Sequence, residues 1–219
     1  MSARTGSVAA GDGLADWIAP GRTALLIIDM QVDFASPGGA LGQAGVDLSA
    51  VPAALAAAQR LASAARGADV PVIFIGLQTS ADGESAVWKE WMRRRGGNGG
   101  VGLCRAGDPG AAFVGASPKP GERVIRKTRY SSFFGTTLDA ALRDAAVDTL
   151  VVCGLTTECC VDRTVRDAFQ LDYHVFLAAD ACAAYEPDLH TGALRALKLN
   201  CAILTTADQV AAAWAPTQG

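Results

Sequence analysis

The stretch Thr149-Leu150-Val151-Val152-Cys153-Gly154-Leu155-Thr156-Thr157-Glu158-Cys159-Cys160-Val161-Asp162-Arg163-Thr164-Val165-Arg166-Asp167-Ala168 decides the fold. It opens on an apolar, Val-rich run, the pattern of a strand buried on both faces in a parallel sheet. From Glu158 the apolar spacing becomes helical. A cysteine is thereby placed in the first turn of a helix, at the carboxyl end of a strand. Free backbone N–H groups and the positive end of the helix dipole favour a thiolate there. The same N–H groups can hold an oxyanion during acyl transfer. This is the geometry of a cysteine nucleophile.

Outward from this junction, strands and helices alternate. Strands are expected over 23–29, 70–77, 124–125, 150–153, 175–178 and 202–204. Helices are expected over 48–66 (closed by Gly67), 85–95, 137–146, 158–171, 189–199 and 207–214. Such alternation predicts a three-layer α/β/α fold, Rossmann-like, with a mostly parallel six-stranded sheet. Residues 1–20 read as a flexible lead-in and 21–219 as a single domain. The Gly/Pro-rich stretch 96–121 reads as a functional loop rather than a linker.

Composition narrows the partners. Of 219 residues, 50% are hydrophobic and 19% charged, which suits one compact core. A net charge of −3 points to neither nucleic acid nor an anionic membrane. The apolar runs are too short to span a bilayer. Six cysteines in a chain this long make no disulfide scaffold, and Cys153, Cys182 and Cys201 fall in or beside strands as buried free thiols do. A reducing cytoplasm is the compartment expected. A hydrophobic, Ala-rich chain with a long Gly/Pro loop leaves apolar surface to cover, which predicts a homo-oligomer.

Ligands of such sheets bind outside the carboxyl ends of the strands. Three complementary groups fall on that edge: Asp29 after the first strand, Lys127 after the third and Cys160 after the fourth. Asp29 reads either as a turn cap or as a general base facing the thiol. Asp33 competes for the base role, but it lies further past the strand and suits ordering the loop. Lys127, beside aromatics, suits a partly buried cation that lowers a thiol's pKa and pairs with the aspartate. Arg126 and Arg129 read as structural or as partners of a substrate carboxylate, and Arg105 or one of Arg93, Arg94 and Arg95 has the same potential. His174 and His190 lie late in the chain, so the base is sought among carboxylates. Phe34, Trp88, Trp91, Tyr130 and Phe134 are candidates for the walls of a pocket.

The segments Ile27-Ile28-Asp29-Met30-Gln31-Val32-Asp33-Phe34, Arg126-Lys127-Thr128-Arg129-Tyr130-Ser131-Ser132-Phe133 and Gly154-Leu155-Thr156-Thr157-Glu158-Cys159-Cys160-Val161 together resemble the isochorismatase-like cysteine hydrolases. That superfamily includes N-carbamoylsarcosine amidase and ureidoacrylate, biuret and nicotinamide hydrolases. The resemblance implies an Asp29–Lys127–Cys160 triad, because the family's cysteine directly precedes the Val, which selects Cys160 over Cys159. It also implies a cis peptide at Leu155–Thr156, with the N–H groups of Thr156 and Cys160 as oxyanion hole. The implied activity is hydrolysis of a C–N amide or ureido bond in a small molecule through a thioester, releasing ammonia or an amine, with no cofactor.

Departures refine this. Nicotinamidases of the family carry a metal-binding Asp-x-His set after the second strand, where this chain has Gly76-Leu77-Gln78-Thr79, so no metal is expected. A dinucleotide-binding protein would need a glycine fingerprint after the first strand, and none is present. A thiol-redox role for Cys159–Cys160 meets the strain of a disulfide between neighbours. A non-catalytic small-molecule binding module on the same fold is the remaining alternative.

Overall fold

The computed structural model describes residues 13–80, 85–96 and 102–215. Six parallel strands, β1 (Thr23–Ile28), β2 (Val72–Leu77), β3 (Arg123–Lys127), β4 (Thr149–Leu155), β5 (His174–Ala183) and β6 (Ile203–Thr205), form one sheet in the order β3-β2-β1-β4-β5-β6. β1 and β4 are buried along their whole length, as their unbroken apolar runs require.

The chain leaves β1 toward β2 and β3, then returns past β1 to lay down β4, β5 and β6. The switch point lies between β1 and β4, where loops diverge and leave a crevice. Asp29 and Cys160 follow these two strands.

Helices cover both faces. On one, α4 (Val51–Gly67) and α9 (Ala207–Ala213) pack on each other and on β5, joined by the short α1 (Leu14–Trp17). α4 buries Val51, Ala54, Ala57, Ala58, Leu61, Ala62 and Ala65, and these small side chains let it lie close to the sheet. On the other face α7 (Asp162–Gln170) and α8 (Pro187–Asn200) pack together, with α6 (Leu138–Asp144) preceding β4. The short α2 (Val32–Ala35) and α3 (Ala40–Gln43) follow β1, and α5 (Ala86–Arg94) follows β2. No described helix is long and apolar enough to cross a membrane.

Several boundaries depart from expectation. Part of the anticipated lead-in is packed: Ile18 is wholly buried and its carbonyl accepts a hydrogen bond from Trp214 Nε1 at 2.8 Å. Residues 1–12 lie outside the described set. α4 begins at Val51, three residues later than expected, and ends at Gly67, with Asp69 rather than the glycine taking the left-handed conformation (φ 56°) beyond it. The long loop carries a 3₁₀ turn (Pro109–Ala111) and a bridge from Phe113 to Gln31, so much of it is anchored. β5 runs to Ala183, five residues past the expected end, across an irregularity in its pairing with β4.

Candidate active site

Asp29 continues the β1 ladder through its N–H, which donates to Ile75 O at 2.8 Å, yet its own φ is +50°. Asp tolerates this left-handed conformation better than most residues, and non-glycine examples concentrate at functional sites. Its carboxylate is 1% exposed. Oδ1 accepts the Leu77 N–H at 2.8 Å, and Oδ2 accepts from Lys127 Nζ at 2.7 Å. The second lone pair of Oδ2 is left to take a proton.

Lys127 is the last residue of β3, not a loop residue after it. Its side chain is wholly buried. Nζ donates to Arg129 O at 3.1 Å and to Cys160 Sγ at 3.3 Å, so the ammonium touches both the acid and the thiol. Cys160 sits in a π-helical turn (Thr157–Val161) that runs into α7, a wider opening than the plain helix start expected. Thr164 Oγ1 donates to Cys160 O at 2.7 Å and accepts the Ser132 N–H at 3.0 Å. The segment after β3 is thereby tied to the turn that carries the thiol.

β4 approaches β1 so closely here that only glycine fits at Gly154. A Cβ there would fall 2.2 Å from Ile28 O, and φ is +142°. The Leu155–Thr156 peptide bond that follows is cis. Thr156 Oγ1 donates to Glu158 Oε1 at 2.8 Å, and Thr157 Oγ1 pairs with His190 Nδ1 at the same distance. His190 thus meets a threonine behind the site, while His174 packs edge-on against Trp17.

Burial alone would lower the pKa of Lys127, but Asp29 and Cys160 outweigh it and hold the group firmly protonated. The thiol of Cys160 is held above its ordinary range, first by its hydrogen bond with Cys159, then by burial and the Asp29 charge, with Lys127 opposing. The same hydrogen bond favours charge on Cys159. The helix start and Lys127 favour a thiolate here, whereas the Cys159 contact, burial and the Asp29 charge favour the protonated thiol.

Above the three groups opens a cavity of about 260 Å³. Phe34, Trp88, Trp91 and Tyr130 line it, as do Thr156, Cys159 and Cys160. Phe134 does not. It is 66% exposed, because the turn directs Phe133 inward to stack on Tyr173 at 5.8 Å and leaves its neighbour in solvent. Tyr185, Leu103 and Met92 complete the wall and were not anticipated. Tyr185 reaches it only because β5 continues to Ala183.

Asp33 orders the loop: Oδ1 accepts the Ala40 N–H at 3.1 Å and Oδ2 the Cys104 N–H at 2.6 Å. Arg105 borders a separate polar hollow beside Ser80 and Asp108. Arg93 and Arg94 pair with Glu90, and Arg126 lies over Phe113. Of the arginines singled out in the sequence, Arg129 alone lines the cavity. Where a metal-binding set would follow β2, Thr79 Oγ1 instead donates to Leu103 O at 2.9 Å.

The family model described as Isochorismatase domain matches residues 23–209. The ureidoacrylate amidohydrolase RutB of Azorhizobium caulinodans is 35% identical over 182 residues, 78% of this chain and 80% of that protein. A cysteine hydrolase from Pseudomonas syringae pv. phaseolicola superposes with a TM-score of 0.77 at 28% identity, covering 90% of this chain and 94% of that one. N-carbamoylsarcosine amidase from Thermoplasma acidophilum superposes at 0.67 with 26% identity, covering 85% and 97%.

Proposed function

The chain belongs to the isochorismatase family and is an amidohydrolase of a non-peptide carbon–nitrogen bond, and we propose that Asp29, Lys127 and Cys160 are its catalytic triad. One observation carries this: a buried ammonium 2.7 Å from a carboxylate oxygen and 3.3 Å from a thiol, beneath a cavity at the switch point of the sheet.

The arrangement supports a route by which the Cys160 thiol becomes a nucleophile. Asp29 Oδ2 takes the Sγ proton as Cys160 attacks the carbonyl carbon. Lys127 contacts both groups, so one positive charge balances one negative charge before and after the transfer. The proton therefore moves within a dry site without changing its net charge, which keeps the step inexpensive. The tetrahedral oxyanion is held by the N–H groups of Thr156 and Cys160. Asp29 returns the proton to the nitrogen, the C–N bond breaks, and ammonia or an amine leaves a thioester on Cys160. Asp29 then takes a proton from water, the hydroxyl adds to the thioester carbonyl, and Cys160 departs reprotonated. The names of the relatives support a ureido or amide carbonyl as the group attacked.

The test is the pair Cys160→Ala and Cys159→Ala, assayed for ammonia release on ureido and carbamoyl acids, with intact mass measured after acid quench. Cys160→Ala should fall to about one ten-thousandth or less, and Cys159→Ala should retain most activity and the acyl adduct. The reverse outcome moves the nucleophile to Cys159.

We also propose a single domain over 21–219, a closed homo-oligomer of two to four subunits and a cytoplasmic location. Exposed Val87, Phe134, Leu199 and Ile203 support self-association. The free, buried thiols of Cys104, Cys153 and Cys182 support a reducing compartment. A monomeric mass by light scattering at micromolar concentration would overturn the oligomer.

A further inference from the structure

The cavity wall carries one positive charge that nothing in the described protein neutralises. Arg129 is two residues past Lys127, and its carbonyl accepts from Lys127 Nζ at 3.1 Å, which fixes its backbone beside the triad. Its guanidinium donates once, from Nη1 to Thr128 O at 2.9 Å, and makes no ion pair with a described acid. The other charged group on the wall, Asp29, is already neutralised by Lys127.

Four of the wall's hydroxyls, those of Thr79, Ser85, Thr156 and Tyr185, have local partners. Thr79 Oγ1 donates to Leu103 O, Ser85 Oγ accepts the Trp88 N–H, and Tyr185 donates to Phe34 O at 2.9 Å. Most of the remaining lining is apolar, with the flat faces of Phe34, Trp88 and Trp91 prominent. A single planar fork with free donors matches a carboxylate, and a lone cation suits one negative charge rather than a phosphate's two.

We propose that Arg129 is the specificity-determining residue of the site: it binds the carboxylate of a substrate whose flat, conjugated body lies between the aromatic side chains and whose amide or ureido carbonyl reaches Cys160. This rests on Cys160 being the nucleophile.

Binding and turnover separate the two ideas. In the Cys160→Ala background, calorimetry compares meta-ureidobenzoate, its methyl ester and the saturated β-ureidopropionate. The aromatic acid should bind roughly 10- to 100-fold tighter than its ester, and tighter than the saturated acid. Adding Arg129→Met should collapse the acid-over-ester preference to within about threefold, while Arg129→Lys should restore part of it. Circular dichroism checks that each variant is folded. Equal binding of acid and ester, binding of neither, a preference that survives Arg129→Met, or a stronger hold on the saturated acid overturns the proposal. If the acid binds as stated but otherwise unaltered enzyme hydrolyses neither it nor any other ureido acid, the nucleophile reading fails and the Arg129 site stands.

Discussion

Asp29, Lys127 and Cys160 stand on the ends of β1 and β3 and in the turn after β4, each nine-tenths buried or more. Trp88, Trp91 and Met92, across the same cavity, stand on α5, a helix with no buried residue. The first wall is fixed by the sheet ladder, a close glycine contact and hydrogen bonds to Leu77, Arg129 and Thr164. The second is held by a Ser85 cap and surface pairs such as Arg94–Glu90. Chemistry needs positions constant to a fraction of an ångström, and only a packed core supplies them. Recognition of a flat apolar body tolerates more play. The two walls should therefore answer substitution in different ways.

The largest effect expected is at the fixed wall. Lys127→Met removes the charge that lets the proton move from Sγ to Oδ2 and leaves Asp29 as a buried, uncompensated anion. Activity should fall roughly 100- to 1,000-fold, mainly in kcat. The apparent pKa of Cys160, followed by the pH dependence of its alkylation, should rise, because Lys127 opposes the other influences on that thiol. An inactive variant with an unmoved alkylation profile would mean that Lys127 positions substrate instead.

At the surface-built wall the effect should be smaller and of another kind. Trp91→Ala should raise KM about tenfold through lost apolar contact, with kcat within about threefold and stability within about 0.5 kcal/mol. By contrast Leu26→Ala, wholly buried in β1, should cost about 2–5 kcal/mol of stability. If Trp91→Ala lowers the melting temperature as far as Leu26→Ala does, α5 belongs to the core and the contrast fails.

The same contrast governs what the sequence discloses. β1 and β4 are legible because unbroken runs such as Ala24-Leu25-Leu26-Ile27-Ile28 have few other ways to be buried. The chemistry lies at their ends, so Asp29 and Cys160 are legible with them. Tyr185 is hidden because Ala178-Ala179-Asp180-Ala181-Cys182-Ala183 has little strand propensity. Pairing with β4 extends β5 despite that, which is a tertiary effect. Phe133 and Phe134 are indistinguishable by composition, and only the turn decides which faces inward. The influences on the thiol divide in the same way: the helix start and Lys127 are visible along the chain, but burial and the contact with Cys159 are not.

The smallest effect lies in the shared core behind both walls and concerns pH. Burial raises the pKa of Cys182 from the ordinary 9.0 to about 12, and it raises that of Cys153 well above 9.0. A group whose folded pKa is raised holds its proton more tightly in the folded state. Its contribution to stability is complete below the unfolded value and is lost as pH climbs through the folded one. Unfolding free energy should thus be level between pH 7 and 8 as far as these thiols are concerned, then decline from about pH 9 toward 12. Each such thiol adds at most about 1.4 kcal/mol per pH unit to the slope. Lys127, also raised, adds loss of the same sign at the upper end of that window. Cys182→Ala should start less stable at pH 7, because it leaves a small void, yet lose stability less steeply above pH 9. Urea unfolding at several pH values reads both quantities. If the slopes for Cys182→Ala and the parent chain coincide above pH 9, Cys182 ionises without unfolding and the strand end beside Gly154 is wetter than its burial indicates.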